Sequence, residues 1–206
     1  NSYGSERGLP GGQAFAELLH TVCQVEGIKR VRFMTSHPKD LSDEIIEVVA
    51  TEPKMCKQIH LPLQSGCTET LRQMNRKYTA DQYRALLTKI RDRIPGVTVS
   101  TDLITGFPGE TDELFLETYN FLKDIVKPAF IHIFPYSRRA GTPAADRKDQ
   151  VQDCVKTKRV QMLEDLCAKL LKNAAILNNK KFKSIHMKFP APQSVSVDGI
   201  WPVGVM

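Results

Sequence analysis

Four short segments of this chain combine glycine and hydrogen-bonding side chains at points where a strand-like run gives way to a helix-like one. They are 35–40 (TSHPKD), 62–67 (PLQSGC), 101–111 (TDLITGFPGET) and 134–143 (FPYSRRAGTP). Glycine lets a backbone approach a ligand closely and leaves its amides free to donate. Asp102 is a carboxylate in an otherwise apolar run, where burial without a partner is costly, and a hydroxyl or another donor on a ligand would satisfy it. Arg76 offers a planar fork that suits a carboxylate, or is a surface arginine at the end of a short helix. Each loop alone also reads as an ordinary turn, with Thr111 a cap, Gly109 a turn residue and Glu110 close to a helix N-terminus. Four such loops at one rim point to a ligand site. His37 and His60 have no cysteine or second histidine at ligand spacing and are not read as metal ligands.

The elements that position these loops alternate regularly. Phe15, Leu18, Leu19 and Val22 form the apolar stripe of a helix that stops at Gly27, and a short strand is expected over 30–34. Ser42 with Asp43 and Glu44 opens a helix through Val49. The next strand is 59–63. Thr79 and Gln82 have capping-box spacing ahead of a stripe of Tyr83, Leu86, Leu87, Ile90 and Ile94. A strand through Val97, Val99, Leu103 and Ile104 follows, then a helix from Thr111 to about Val126 and a strand over 129–134. Leu163, Leu166, Leu170, Leu171 and Ala174 mark one long helix. Strands near residues 32, 60, 100 and 131 with helices between them predict right-handed crossovers and a parallel sheet, hence an α/β fold. In such folds chemistry collects at the C-terminal ends of the strands, where the four loops fall. Four units do not close a barrel, so an open sheet edge is expected.

Composition sets limits. With 206 residues, 41% of them hydrophobic, the chain can bury the core of one ordinary domain. No apolar run is long enough to span a membrane and the N-terminus has no leader pattern, which predicts a cytosolic protein. The first residue is not Met, and a fragment of a longer protein is expected. The five cysteines, Cys23, Cys56, Cys67, Cys154 and Cys167, form no paired CxxC site, and Cys154 and Cys167 read as small buried hydrophobes. From Arg138 onward there are 13 Lys and Arg against 6 Asp and Glu, so the net charge of +6 resides in the C-terminal third. That fits an anionic partner such as RNA, or a solvated basic helix.

Six segments together, 1–4 (NSYG), 32–40 (RFMTSHPKD), 59–67 (IHLPLQSGC), 74–78 (MNRKY), 101–111 and 136–145 (YSRRAGTPAA), match in order and spacing the methylthiotransferase branch of the radical S-adenosylmethionine (radical SAM) superfamily. The resemblance covers about 1–177. It implies a partial (β/α) TIM-like radical SAM barrel over 1–148 and a helix over 149–181 that closes it. The tail, 182–206, with Pro190, Pro192, Pro202 and Trp201, would be a truncated or degenerate RNA-binding β-domain. It implies an enzyme whose 4Fe-4S cluster, held by a CxxxCxxC triad, cleaves S-adenosylmethionine to a radical that acts at C2 of an N6-modified adenosine beside a tRNA anticodon. Sulfur from a second cluster and a methyl group from a second S-adenosylmethionine complete the product. Neither set of cluster cysteines is in this sequence, so the chain by itself is expected to be inactive, with no metal ligands and no catalytic residue of its own.

The resemblance places Asn1, Gln64, Ser65, Arg76, Asp102, Gly106, Glu110, Phe134 and Tyr136 around S-adenosylmethionine or the substrate. Gly106 would allow close approach beneath the adenine, with Phe134 and Tyr136 flanking it, although aromatics at a strand end also serve as core. Arg138, Arg139, Lys156, Lys158 and Arg159 are the candidates for RNA phosphates. The 35–40 and 56–66 segments look like the isopentenyladenosine branch, while 117–124 and 131–145 look like the threonylcarbamoyladenosine branch; the first is favoured. The full-length form is expected to be monomeric. Two alternatives are a non-catalytic RNA-binding remnant and a (β/α) barrel enzyme acting on a phosphorylated metabolite, for which GFPGET is a poor phosphate loop.

Overall fold

A computed structural model of the chain describes residues 3–4, 8, 11–34 and 37–177, with backbone alone for 173–177. Asn1 and the tail from Phe182, both invoked above, lie outside the described residues. The elements run α1 (Gly11–Gln24), α2 (Asp43–Thr51), β1 (Gln58–His60), α3 (Thr68–Gln73), α4 (Ala80–Arg93), β2 (Thr98–Thr105), α5 (Asp112–Asn120), a π-helical segment (Phe121–Val126), β3 (Phe130–Pro135), α6 (Pro143–Asp146) and α7 (Asp153–Leu177).

The strands form a parallel sheet in the order β1-β2-β3, with His60 opposite Ser100 and Asp102 opposite His132. Consecutive parallel strands joined by right-handed crossovers keep their helices on one face. The burial pattern agrees. Val99, Thr101, Leu103 and Thr105 of β2 are buried with Ile131 of β3, whereas Phe130, His132 and Phe134 are exposed. The core lies on the first face, where Ile59, Leu63, Tyr83, Leu87, Leu122 and Leu163 meet the sheet.

Two expected strands are shorter than their patterns suggested, each for a local reason. The strand over 30–34 reduces to one parallel bridge between Val31 and Met55. Only Val31 of that run is fully buried, and Met34 is 82% exposed. Pro62, which has no N–H to give, interrupts the strand over 59–63 after His60. The Thr101 hydroxyl repairs the gap, donating to the Leu61 carbonyl at 2.8 Å and accepting from the Leu63 amide at 2.9 Å. Pairing resumes at Gln64, which bridges Leu103.

The helix expected from 111 to 126 divides. Thr111 caps α5 as predicted, but the last turns widen to a π-helix closed by Lys127 in the left-handed region (φ 42°). Arg91 of α4 donates to the Ile125 carbonyl at 2.9 Å and to that of Val126, taking up the acceptors freed there. The predicted capping box of α4 is present, with Gln82 N–H donating to the Thr79 hydroxyl at 3.2 Å and Thr79 N–H to the Gln82 side chain at 2.9 Å. Thr79→Ala should therefore lower stability by about 1 kcal/mol, measured as a shift in the urea midpoint at unchanged slope.

Candidate functional site

Beyond the C-terminal ends of β2 and β3 lies a cleft of about 680 Å³, lined by Gln64, Met74, Arg76, Asp102, Ile104, Phe107, Phe134, Pro135, Tyr136, Ser137, Arg139, Thr142 and Ala144. The sheet's pleat explains half of this wall. Asp102 and Ile104 alternate with buried Leu103 and Thr105, and Phe134 alternates with Ile133, so the uncovered face supplies the lining. Gln64 reaches the cleft from a left-handed backbone conformation (φ 68°), unusual for a residue with a side chain and held by its bridge to Leu103.

Two buried polar atoms in this wall have no partner among the described residues, Arg76 Nε and the Tyr136 hydroxyl. Orphaned buried donors are rare in folded proteins and mark places where a ligand or water completes the bonding. The Tyr136 ring stands edge-on to Phe107 at 5.2 Å, and Lys156 Nζ sits 5.9 Å above it. Opposite, Asp102 Oδ1 lies 3.2 Å from His60 Nε2, and His60 Nδ1 is 2.9 Å from the Ser100 hydroxyl.

Five residues expected around S-adenosylmethionine or the substrate, Gln64, Arg76, Asp102, Phe134 and Tyr136, thus meet at one cleft, together with Arg139, which was expected at RNA phosphates. Others lie elsewhere. Ser65 is fully buried among the helices, its hydroxyl 2.9 Å from that of Thr118 and accepting from the Cys67 amide. Glu110 is 5% exposed and shapes the loop from behind: its carboxylate accepts from Gly106 N–H at 2.6 Å and from Arg159 Nη1 at 2.8 Å. Gly106 (φ +74°) is where glycine is required, since a Cβ there would stand 2.4 Å from Lys156 Cγ.

Of the five basic residues assigned to phosphates, Arg159 is placed differently. It is 4% exposed, its two terminal nitrogens pair with Glu110 and Asp112 while Nε has no partner among the described residues, and its guanidinium lies 5.1 Å from the Phe115 ring. Lys156 is half-buried and pairs with Asp153 at 3.0 Å. Arg138, Arg139 and Lys158 are exposed. Cys167 is half-buried against the core, but Cys154 is exposed rather than buried as expected.

Sequence reasoning missed Met74, Phe107 and Thr142 as lining, though each falls inside a segment already singled out. It also missed His132, whose signal is positional: it stands opposite Asp102 in the register, on the uncovered face.

Residues 9–122, more than half of the chain, match the profile of the radical SAM superfamily. The chain belongs to that superfamily. It is 46% identical over 181 residues to the tRNA-2-methylthio-N(6)-dimethylallyladenosine synthase of Thermoanaerobacter pseudethanolicus, covering 87% of this chain and 38% of that protein. The synthase of the same name from Clostridium botulinum is 50% identical over 174 residues, 82% of this chain and 38% of its own length. That from Lachnoclostridium phytofermentans is 48% identical over 163 residues, 79% and 35% respectively. The chain therefore spans little more than a third of the relatives it matches. The methylthiotransferase resemblance read from the six segments agrees with these relatives.

Radical SAM proteins hold a 4Fe-4S cluster on cysteines, and the described residues do not fit one. Among them no three cysteines come together, and the one convergent group of ligand-type side chains is His60, Asp102 and His132. The cleft instead sets two unpartnered donors in a wall of mixed polar, aromatic and apolar side chains, a lining suited to an organic ligand. Among the described residues no helix is long and apolar enough to cross a membrane.

Proposed function

We propose that this chain is part of a tRNA methylthiotransferase, contributing the later βα units of a TIM-like barrel that hold S-adenosylmethionine and the adenosine to be modified. The observation that carries this is the cleft at the strand ends with two orphaned donors, Arg76 Nε and the Tyr136 hydroxyl, in a radical SAM chain. Residues 1–148 are read as barrel, 149–181 as the helix that closes it and 182–206 as a truncated or degenerate RNA-binding β-domain. The names of the relatives favour the dimethylallyl (isopentenyl) adenosine over the threonylcarbamoyl form. A monomeric cytoplasmic enzyme with tRNA as its partner follows from the same reading.

The chain's own residues have separable tasks. Arg76 offers its guanidinium to the methionine carboxylate, and Gln64 and the free oxygen of Asp102 bond hydroxyls of a ribose; Gly106, packed against Lys156, takes no part in the cleft wall. Phe134 and Tyr136 flank the adenine. Arg138, Arg139 and Lys158, exposed at the rim and along α7, meet RNA phosphates. When bound to a reduced cluster, S-adenosylmethionine supplies a 5′-deoxyadenosyl radical. The sequence contains no CxxxCxxC triad, so no step of that chemistry is assigned to this chain, and anaerobic reconstitution should load no stoichiometric 4Fe-4S cluster. Iron and sulfide analysis reads this directly.

The test of the cleft is equilibrium dialysis with S-adenosylmethionine. Arg76→Ala should weaken binding at least tenfold, equivalent to about 1.4 kcal/mol. Equal binding by both proteins, or none by the parent, would overturn the assignment. A second reading, a non-catalytic RNA-binding remnant, draws on the exposed basic residues and predicts salt-dependent tRNA binding with no S-adenosylmethionine binding.

A further inference from the structure

His60, Asp102 and His132 come from three adjacent parallel strands and stand on the face of the sheet away from the core. The register makes them converge: His60 is opposite Ser100, and Asp102, two residues on along the same face, is opposite His132. Neighbouring strands lie about 4.8 Å apart, so same-face side chains one strand away are within reach of one another. One ligand atom from each residue lies within 4.8 Å of the other two. The closest pair, His60 Nε2 and Asp102 Oδ1, is already at 3.2 Å.

We infer that these three side chains form a divalent-cation site, two imidazoles and one carboxylate, suited to Zn²⁺ or Co²⁺ and open at its fourth position. Tetrahedral ligands on bonds of about 2.1 Å stand ~3.4 Å apart, which the His60–Asp102 pair matches as it is. His132 is exposed and free of hydrogen bonds to the described residues, and its ring lies 5.7 Å from that of His60 between centroids. The second nitrogen of His60 is fixed by the Ser100 hydroxyl at 2.9 Å, the outer contact that orients a metal-bound imidazole and sets its tautomer. Asp102 also lines the cleft, so the open position faces that space. The site shares Asp102 with the S-adenosylmethionine reading but needs neither Arg76 nor Tyr136, so variants at Arg76 and His132 separate the two. An ion pair between His60 and Asp102 alone is the rival account, and it gives His132 no part.

Titration of the chelator-treated full chain with Co²⁺, followed by its visible d–d absorption and by metal analysis after gel filtration, decides between them. One cation per chain is expected, without the near-ultraviolet charge-transfer band that thiolate ligands give. His132→Ala sits at an exposed position and should keep the far-ultraviolet circular dichroism of the parent while weakening Co²⁺ at least tenfold; Arg76→Ala should bind Co²⁺ as the parent does. Failure of the parent to retain Co²⁺, thiolate bands, or undiminished binding by His132→Ala would each overturn the site.

Discussion

Replacing Arg159 with methionine is expected to lower the unfolding free energy by about 3–5 kcal/mol, because it leaves the Glu110 carboxylate buried without its cation. Arg159 Nη1 donates to both the Glu110 carboxylate (2.8 Å) and its backbone carbonyl (3.1 Å), while Nη2 reaches Asp112 at 2.8 Å. The pair is nearly inaccessible, with side chains 5% and 1% exposed. It is also the main polar tie between α7 and the loop after β2. Most of the loss belongs to the stranded charge, so Arg159→Met with Glu110→Gln should recover a good part of it. Urea unfolding of the two single variants and the double variant measures this as a cycle. If Arg159→Met unfolds at the same urea concentration as the parent, the pair does not hold the fold.

Glu110 gives this ion pair a pH signature. Burial pushes its carboxyl above the ordinary glutamate value, and the bonds from Gly106 and Arg159 only partly offset that. The folded chain then keeps the proton to higher pH than the unfolded chain does. Its contribution is fully present below the ordinary value and is lost as pH rises through the raised one. Half-buried Glu69, held down to about 2 by Arg72, and Asp112, lowered by Arg159, act in the opposite sense: their contributions are present above the ordinary values and lost on acidification. Glu110→Gln should remove the falling limb and leave the acid limb.

The sequence pattern anticipated the core better than the element ends. The apolar stripe of α4 and its capping box are found where the spacing put them, because both depend on residues within one helix. The strand ends depend on neighbours. Pro62 ended β1 early, and only Thr101, forty positions beyond Leu61, could show that the ladder continues through a side chain. The π-helical end of α5 depends on Arg91, another distant partner. The site divides in the same way. Gln64, Asp102 and Phe134 were readable as strand-end residues on one rim. That Ser65, Glu110 and Arg159 turn inward was not, since a residue's type does not say which of two packed surfaces it faces.

Leu103→Ala is expected to destabilise the chain by about 2–5 kcal/mol and to loosen the cleft at the same time. Leu103 is fully buried at the centre of the middle strand, paired with Ile133 on one side and bridged to Gln64 on the other. Its hydrogen-bonded neighbours on both sides restrain the sheet from closing over the space. Its two neighbours in sequence, Asp102 and Ile104, line the cleft and also hold Gln64, whose amide donates to the Asp102 carbonyl and whose carbonyl accepts from the Ile104 amide, both at 2.9 Å. Stability and ligand binding should therefore fall together in Leu103→Ala, whereas Thr79→Ala, remote from the cleft, lowers stability alone. Urea midpoints set beside S-adenosylmethionine dialysis for the two variants test this. Unchanged dialysis in a destabilised Leu103→Ala would mean that the floor of the cleft is held by the flanking strands rather than by the centre of the sheet.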